Sequence, residues 1–440
     1  MRHLQRWTMV AAVVLFAACS KDKDIDKPAD LTPISATLKV DHLWSAKVAD
    51  KGGKVLRLGL GLAVEGDRVF AAGYKGEVTA YNINNGHEIW RTKVKKEPFS
   101  GGPAAGHDLV VVGTSGGDVI ALGSADGKIR WRVSLNGEIL AAPAISERVV
   151  AVRTVDGKLR ALSPADGHEL WTQEQQVPRL SLRGTSSPVI AGELTLCGFD
   201  NGKVVAVNMN DGSLQWEATI APPHGKTELE RLDDVDSTPH VSGQDVFTVG
   251  FQGKIAMLAL DTGQVWWQHD ASSYRDIALD DDAIYMATAD GEVVALRRRT
   301  GAEVWRQKAL LHRGLSAVAL TDNAVVTADY KGNLHWLDKA TGELAAREPT
   351  GKVRVSNAPV VSGNIVLVIN DAGRISAYRT SPIGRAMAAP HSVPAETSTT
   401  GKTVVTPEAA PAAAPAPEPA TPAAPAPEPA APPTVTPQPQ

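Results

Sequence analysis

Several short motifs in this chain have residue types that could carry chemistry. Residues 113–117, GTSGG, fit the G-x-S-x-G pattern of a nucleophilic serine, but that motif needs a strand-turn-helix, and the apolar runs on both sides predict strands. His87-Glu88 and His168-Glu169 lack the second histidine of a zinc-binding helix. Asp234-Val235-Asp236 could begin a calcium loop, yet no Asp-Gly follows. We therefore expect no catalytic residue, no metal site and no cofactor.

A stronger indication of binding comes from two polar segments that contain apolar anchors, LSLRG and RLDDVDSTP. In the first, Leu180 and Leu182 precede Arg183, whose planar guanidinium can pair with a carboxylate or a backbone carbonyl. In the second, Asp234 and Asp236 supply carboxylates. Leucines among charged side chains suit a protein-interaction patch. The alternative is internal loop structure, in which the two aspartates cap loop backbone and pair with the arginine.

The elements that hold these segments are copies of one repeat of about 40 residues, a period typical of stacked repeats and propeller blades. Each complete copy has a glycine, a second glycine ten residues later and a tryptophan four residues after that. The first glycines and tryptophans are Gly76/Trp90, Gly117/Trp131, Gly157/Trp171, Gly202/Trp216, Gly253/Trp267 and Gly291/Trp305. In a seventh copy Trp336 occupies the slot where alanine is usual and Ala346 the tryptophan slot, which predicts an exchange of side-chain volume. An eighth copy stops after one strand.

The composition of the repeat predicts short strands. Pairs such as Asn85-Gly86 and Asp126-Gly127 suit tight hairpins, and β-rich runs with regular turn signals give four strands per copy. The recurring alanine leaves room for a large neighbour, for which the tryptophan is the candidate. A strand around Trp44 can complete the last copy and close the ring, which removes exposed sheet edges. The predicted fold is all-β, an eight-bladed β-propeller with four-stranded antiparallel blades whose last blade is closed by the N-terminal strand.

The two ends of the chain have a different composition. Basic residues before a short apolar run predict a signal peptide over residues 1–18. Small residues before Cys19 resemble a bacterial lipobox, so we expect a lipidated Cys19 and a tether over residues 19–37; the alternative is an ordinary signal peptide with an incidental cysteine. The propeller is expected over 38–380. Residues 381–440 form a tail rich in proline and alanine, expected to be disordered and extended, either as a spacer or as an inert extension.

Function is expected where the repeat is irregular. The connector from Trp171 to Pro188 spans 17 residues and that from Trp216 to Pro239 spans 23, against 10 to 13 elsewhere. Connectors of this kind leave one face of a propeller, so two long ones in succession predict one raised patch, and they carry the two polar segments. Loops on a rigid scaffold often carry function. The formal net charge of −4 gives no reason to expect a nucleic-acid partner. Cys197, in an apolar run, is expected to be a buried thiol.

The repeat resembles the tryptophan-docking repeat of quinoprotein-like eight-bladed propellers. With the lipobox-like cysteine and the LSLRG and RLDDVDSTP segments, residues 38–380 resemble the BamB family of lipoproteins. The resemblance implies a non-enzymatic scaffold of the outer-membrane β-barrel assembly (BAM) complex, lipid-anchored on the periplasmic face of the outer membrane.

The resemblance also implies the contact site. Leu180, Leu182, Arg183, Asp234 and Asp236 would bind the POTRA domains of BamA, and nascent outer-membrane proteins are a further candidate partner.

The alternative function is a periplasmic quinone (PQQ)-dependent dehydrogenase built on the same repeats. Such enzymes typically have adjacent cysteines and acidic calcium ligands, and this sequence has no Cys-Cys pair.

Overall fold

The fold is taken from a computed structural model, which describes residues 27–48, 59–94, 98–178, 186–220, 235, 237–250, 253–273 and 275–383. All of these residues lie in the first of two units of the chain, residues 1–384. Every regular element among them is a β-strand. Within these ranges no helix has the length and apolar character needed to span a bilayer.

The strands form eight blades of four antiparallel strands, one of which gains a fifth short strand, and this confirms the eight-bladed propeller. Blades 1 to 3, from inner to outer strand, are Leu62–Glu65, Arg68–Gly73, Glu77–Asn82, Glu88–Lys93; Phe99–Gly106, Leu109–Thr114, Asp118–Gly123, Ile129–Ser134; and Ala144–Ile145, Val150–Thr154, Lys158–Leu162, Glu169–Glu174. Blades 4 and 5 are Val189–Ala191, Leu194–Gly198, Lys203–Asn208, Leu214–Thr219; and His240–Ser242, Asp245–Val249, Lys254–Ala259, Val265–Asp270.

Blades 6 and 7 continue the series with Ala278–Leu279, Ala283–Ala287, Val293–Arg297, Glu303–Gln307; and Ala319–Leu320, Ala324–Ala328, Asn333–Asp338, Leu344–Pro349. Blade 8 combines the two ends of the ring: Val360–Ser362, Ile365–Ile369 and Arg374–Pro382, then the N-terminal strand Leu38–Lys47. A short strand that the sequence did not predict, Gly59–Leu60, adds to blade 2 in parallel with its inner strand.

The N-terminal strand closes the ring as predicted. It pairs antiparallel with the third strand of blade 8, from Leu38 opposite Pro382 to Lys47 opposite Arg374. On its other side, the Trp44 indole N–H donates a 2.8 Å hydrogen bond to a backbone carbonyl in blade 1. Backbone pairing and a side-chain bond therefore join the first and last blades.

Each repeat tryptophan binds the next blade by two contacts. Its indole N–H donates to the carbonyl three residues before the second glycine of that blade, at 2.8 to 3.2 Å. Its ring lies on that glycine: an added Cβ at Gly127 would be 2.4 Å from the Trp90 ring. These glycines also have φ between 67° and 78°, a region that side chains disfavour. The hydrogen-bonded pairs are Trp44–Ile83, Trp90–Ser124, Trp131–Pro164, Trp171–Met209, Trp216–Leu260, Trp267–Arg298 and Trp305–Lys339.

The recurring alanine lies directly opposite the tryptophan of its own blade, as the sequence predicted. Ala80 pairs with Trp90 and Ala121 with Trp131 in the backbone register. Blade 5 departs from this pattern, because Met257 faces Trp267. That tryptophan also makes the longest of the seven indole hydrogen bonds, at 3.2 Å.

The junction between blades 7 and 8 uses a different contact. Blade 8 takes its fourth strand from the N-terminus, so it has no hairpin and no second glycine on which a tryptophan could dock. Trp336, opposite Ala346, is fully buried and meets Tyr378 of blade 8 edge-on, with ring centroids 6.1 Å apart. The Tyr378 hydroxyl donates to the Pro349 carbonyl. The predicted volume exchange is confirmed.

In the described part of the chain, the connectors between blades leave from one face of the propeller. Each connector begins beside the first glycine of the blade it leaves: Gln175 N donates to Gly157 O at 2.9 Å, and Thr350 N to Gly332 O at 2.7 Å. We call this the connector face. The opposite face, with the hairpins between third and fourth strands and the turns between first and second strands, is the hairpin face.

Tryptophan docking predicts a large cost for any side chain at a second glycine. In Gly167→Ala the new Cβ would lie 2.6 Å from the Trp131 ring. In the control Gly192→Ala, φ is also positive at 59° but no atom lies within 4 Å of the new Cβ. Both variants carry the conformational penalty, so we expect Gly167→Ala to lose about 1–3 kcal/mol more by overpacking. Denaturant unfolding measures the difference, and equal losses would contradict docking as the cause.

Candidate functional site

The predicted binding residues belong to the two long connectors, of which the structure describes the ends. Leu180, Leu182, Arg183, Asp234 and Asp236 lie outside the described residues, as does Cys19. The described ends show where each connector is attached to the propeller, and therefore whether the two loops share a base.

The first long connector begins beside Gly157 of blade 3, and side chains near both of its ends contact the turn between the second and third strands of blade 4. At its start the Gln175 side chain accepts a 3.5 Å hydrogen bond from the Asn201 amide. At its end Ser186 is fully buried, and its hydroxyl accepts a 3.1 Å hydrogen bond from Gly198 N. Both Gly198 and Asn201 belong to the turn between the second and third strands of blade 4, residues 198–202.

The second long connector is attached to the same turn. Ile220 N donates to Gly202 O at 2.9 Å, and Val235 N donates to Phe199 O at 3.3 Å. Val235 lies between the two predicted aspartates in sequence and is fully buried in the core of blades 4 and 5. Turn 198–202 therefore contacts the described ends of both long connectors, and we call it their common base.

The serine of the RLDDVDSTP segment has a structural role. Ser237 is buried, and its hydroxyl donates to Val249 O at 2.6 Å and accepts from Val249 N at 3.1 Å. The next residue, Thr238, donates through its backbone N–H and its hydroxyl to the Asp276 carboxylate. This half of the segment therefore fixes the end of the loop against blade 5 and the following connector.

A buried ion pair joins blade 3 to turn 198–202, the common base of the two long connectors. Arg153, on the second strand of blade 3, donates to Asp200 at 2.8 Å and to the Gly198 carbonyl at 2.7 Å, with its guanidinium 4.3 Å from the Phe199 ring centroid. Both charged side chains are at most 5% exposed. Buried charges persist when they are paired and hydrogen-bonded, so this contact ties blade 3 to turn 198–202.

The sequence did not lead us to predict a role for Arg153, although its residue type is unusual at its position in the repeat. Four residues before the first glycine, the other copies have small or aliphatic residues, and this copy alone has a charge. The seven counterparts are Ala72, Gly113, Gly198, Val249, Ala287, Ala328 and Ile369. A charge at a position that is apolar in every other blade indicates a partner supplied by the neighbouring blade.

The motifs that resembled catalytic patterns fall where the repeat predicts them. Ser115 lies in a turn between two strands, not before a helix. His168 is in an exposed hairpin, where its hydrogen bond holds the pKa of Asp166 down at about 2. Cys197 is fully buried, as predicted, and burial raises the pKa of its thiol to about 11. No group of three His, Cys, Asp or Glu side chains suited to a metal ion occurs in the described part of the chain.

The chain is similar to proteins of one assembly-factor family over most of its length. It is 37% identical over 369 residues to the outer membrane protein assembly factor BamB of Kangiella koreensis, covering 84% of this chain and 94% of that protein. The BamB of Pseudomonas aeruginosa is 38% identical over 370 residues, covering 84% and 97%. The crystal structure of BamB from Moraxella catarrhalis matches with a TM-score of 0.71 at 26% identity, covering 78% of this chain and all of that one.

Quinone-dependent enzymes are similar in fold alone. A quinohemoprotein alcohol dehydrogenase from Pseudomonas putida HK5 matches with a TM-score of 0.59 at 14% identity, covering 77% of this chain and 76% of that one. A europium-containing methanol dehydrogenase matches with a TM-score of 0.63 at 12% identity, covering 77% and 93%. At these identities the likeness shows a shared fold and nothing about activity.

The buried Arg153–Asp200 pair leads to a prediction about stability. Asp200→Ala leaves the Arg153 charge buried without its carboxylate, which we expect to cost about 3–5 kcal/mol of unfolding free energy. The double variant Arg153→Met/Asp200→Leu removes both charges and should be clearly more stable than the single variant. Glu193→Ala breaks the exposed Arg148–Glu193 pair and should change stability little. Urea unfolding compares the three, and a double variant less stable than Asp200→Ala would contradict the prediction.

A family profile described as outer membrane protein assembly factor BamB matches residues 41–97, 75–307 and 289–408. Together these segments span the propeller, including both long connectors. The profile, the relatives above 30% identity and the fold agree: the chain belongs to the BamB family of outer membrane protein assembly factors.

Proposed function

We propose that the chain is a non-enzymatic scaffold of the outer-membrane β-barrel assembly machinery, held at the periplasmic face of the outer membrane by a lipid on Cys19. Its relatives are named outer membrane protein assembly factors, which supports the role. The sequence departs from the donor set of the quinone-dependent enzymes, because its two cysteines are not adjacent and Cys197 is buried.

The proposed partner is BamA, bound through its POTRA domains by the two long connectors. The observation that supports a single contact surface is the attachment of both connectors to turn 198–202, which Arg153 and Asp200 hold rigid. A rigid base suits a binding surface because little conformational freedom is lost on association. Within the surface, Leu180 and Leu182 are the apolar anchors, and Arg183, Asp234 and Asp236 supply charge-assisted bonds.

A binding experiment tests this assignment. We expect Arg183→Ala and Asp236→Ala each to weaken binding of the full chain to the BamA POTRA domains by tenfold or more, as for a hot-spot residue. Lys128→Ala and Asp211→Ala, on the hairpin face, are the matched charge-removing controls and should bind like wild type. Wild-type affinity in both connector variants would refute the site.

An absorbance spectrum distinguishes a scaffold from a quinone-dependent dehydrogenase. The scaffold should show only aromatic absorption, dominated by its tryptophans, when purified from cells that make the quinone cofactor. Absorbance from a bound quinone, with substrate-dependent dye reduction, would overturn the non-enzymatic proposal.

A further inference from the structure

The segment before the first strand is held against the propeller. Ala29 N donates to Leu311 O at 2.9 Å, and Thr37 N donates to Ala345 O at 2.9 Å. Between them the Leu31 side chain packs against the core of blades 6 and 7. Residues 29–37, here called the docked segment, therefore follow the outside of blade 7 and shorten the predicted tether.

Two arginines of the propeller bind the docked segment through its backbone. Arg313 donates to the Ala29 carbonyl at 2.8 Å, and Arg347 donates to the Thr32 carbonyl at 2.9 Å. Every residue has a backbone carbonyl, so these hydrogen bonds do not depend on the side chains of the docked segment. They therefore fix the path of its backbone.

The two arginines are themselves held by one buried network in blade 7. Arg313 donates to Asp329 at 2.7 and 2.9 Å, and His335 Nε2 lies 3.2 Å from the same carboxylate. Arg347 Nε donates to His335 Nδ1 at 3.3 Å. Asp329 and His335 are fully buried. Side chains anchored in this way hold their carbonyl partners at fixed points.

The docked segment begins at the connector face. Leu311 and Arg313 both belong to the connector from blade 6 to blade 7. If Cys19 carries the proposed lipid, nine residues lie between the anchor and Ala29, which gives a reach of at most about 35 Å. The connector-face side of blades 6 to 8 is therefore the part of the propeller that the anchor keeps nearest the membrane.

Four exposed cations on this side fit an anionic surface, and Asp30 and Asp290 are the exposed carboxylates near them. Lys331 and Lys352 are exposed at the connector face of blade 7, and the register partners Lys47 and Arg374 are exposed at the same face of blade 8. None of the four pairs with a carboxylate of another described residue. Asp371, the carboxylate nearest in sequence to Arg374, accepts hydrogen bonds from Ser356.

The hairpin face carries more exposed carboxylates than exposed cations. Its turns carry a series of exposed carboxylates, of which Asp126, Asp166 and Asp211 cap the turn backbone. The series consists of Asp67, Asp108, Asp126, Glu147, Asp166, Glu193, Asp211, Asp261, Asp281, Asp282 and Asp322. An anionic bilayer attracts the basic side and repels this face, an effect that acts within a Debye length of the surface.

We propose that Lys47, Lys331, Lys352 and Arg374 form a membrane-facing rim that lies against anionic phospholipid headgroups, with the docked segment setting this orientation. The inference rests on the proposed lipid anchor at Cys19. In a ring of eight, blade 8 lies opposite blade 4, whose turn 198–202 is the base of the long connectors. The rim and the proposed partner loops thus occupy opposite sides of one face and can be engaged together.

Fluorescence quenching tests the orientation in the lipidated full chain. The probe is attached at Ala372→Cys, at the connector face of blade 8, or at Ser213→Cys, in a hairpin of blade 4; both residues are exposed, and the native Cys197 is buried. Vesicles contain phosphatidylethanolamine and phosphatidylglycerol with a headgroup spin label. We expect quenching at Ala372→Cys at least threefold greater than at Ser213→Cys.

Charge reversal provides the matched comparison. Lys331→Glu/Lys352→Glu/Arg374→Glu should lower quenching at Ala372→Cys to the level at Ser213→Cys. The control reverses three cations of the hairpin face, Lys39, Lys128 and Arg299, and should leave quenching unchanged. Equal quenching at the two probes of the unaltered chain, or no effect of the rim reversal, overturns the proposed rim.

Two further measurements distinguish this failure from failure of the proposed function. Palmitate labelling that requires Cys19 reports the anchor, and POTRA binding by the rim variants reports the partner site. A lipidated chain that binds POTRA domains but shows equal quenching refutes the rim alone. A chain without lipid at Cys19 refutes the anchor and, with it, the rim.

Discussion

The fold depends on the contact between the tryptophan of one blade and the hairpin glycine of the next. A glycine is required because its positive φ makes the turn and because the indole ring occupies the space of a side chain. The indole N–H then donates a hydrogen bond to a carbonyl of the same turn. Since the alanine opposite the tryptophan makes room within its own blade, three positions per repeat specify both the blade and its junction.

Ring closure follows from the same contact. The N-terminal strand brings Trp44, which docks on blade 1 like any other tryptophan. The consequence is that blade 8 has no hairpin of its own, so the junction before it cannot use the usual pair. Trp336 and Tyr378 fill this junction instead, and Ala346 replaces a tryptophan that would have had no glycine to meet. Closure of the ring by the N-terminal strand thus explains two departures from the repeat, Trp336 in the alanine position and Ala346 in the tryptophan position.

The two long connectors are the main departures from a regular ring, and the described ends of both are held in the same way. Both long loops are attached to turn 198–202, and the Arg153–Asp200 pair ties that turn to the neighbouring blade. A second buried network, around Asp329 and His335, holds the segment that leads from the N-terminus. Both networks place paired charges in the interior, one beside the proposed partner loops and the other beside the docked segment.

The sequence by itself determined the blade count, the strand order and the closing strand, because hairpins, docking glycines and tryptophans are local patterns repeated at fixed spacing. It also located the two long connectors, since an insertion is visible as a change of spacing. The tertiary structure alone decided that both connectors share one turn, that Arg153 and Asp200 meet 47 residues apart, and that residues 29–37 follow blade 7. These contacts join different blades, and the physical reason they escape sequence analysis is that no local periodicity fixes which side chains the closed ring brings together.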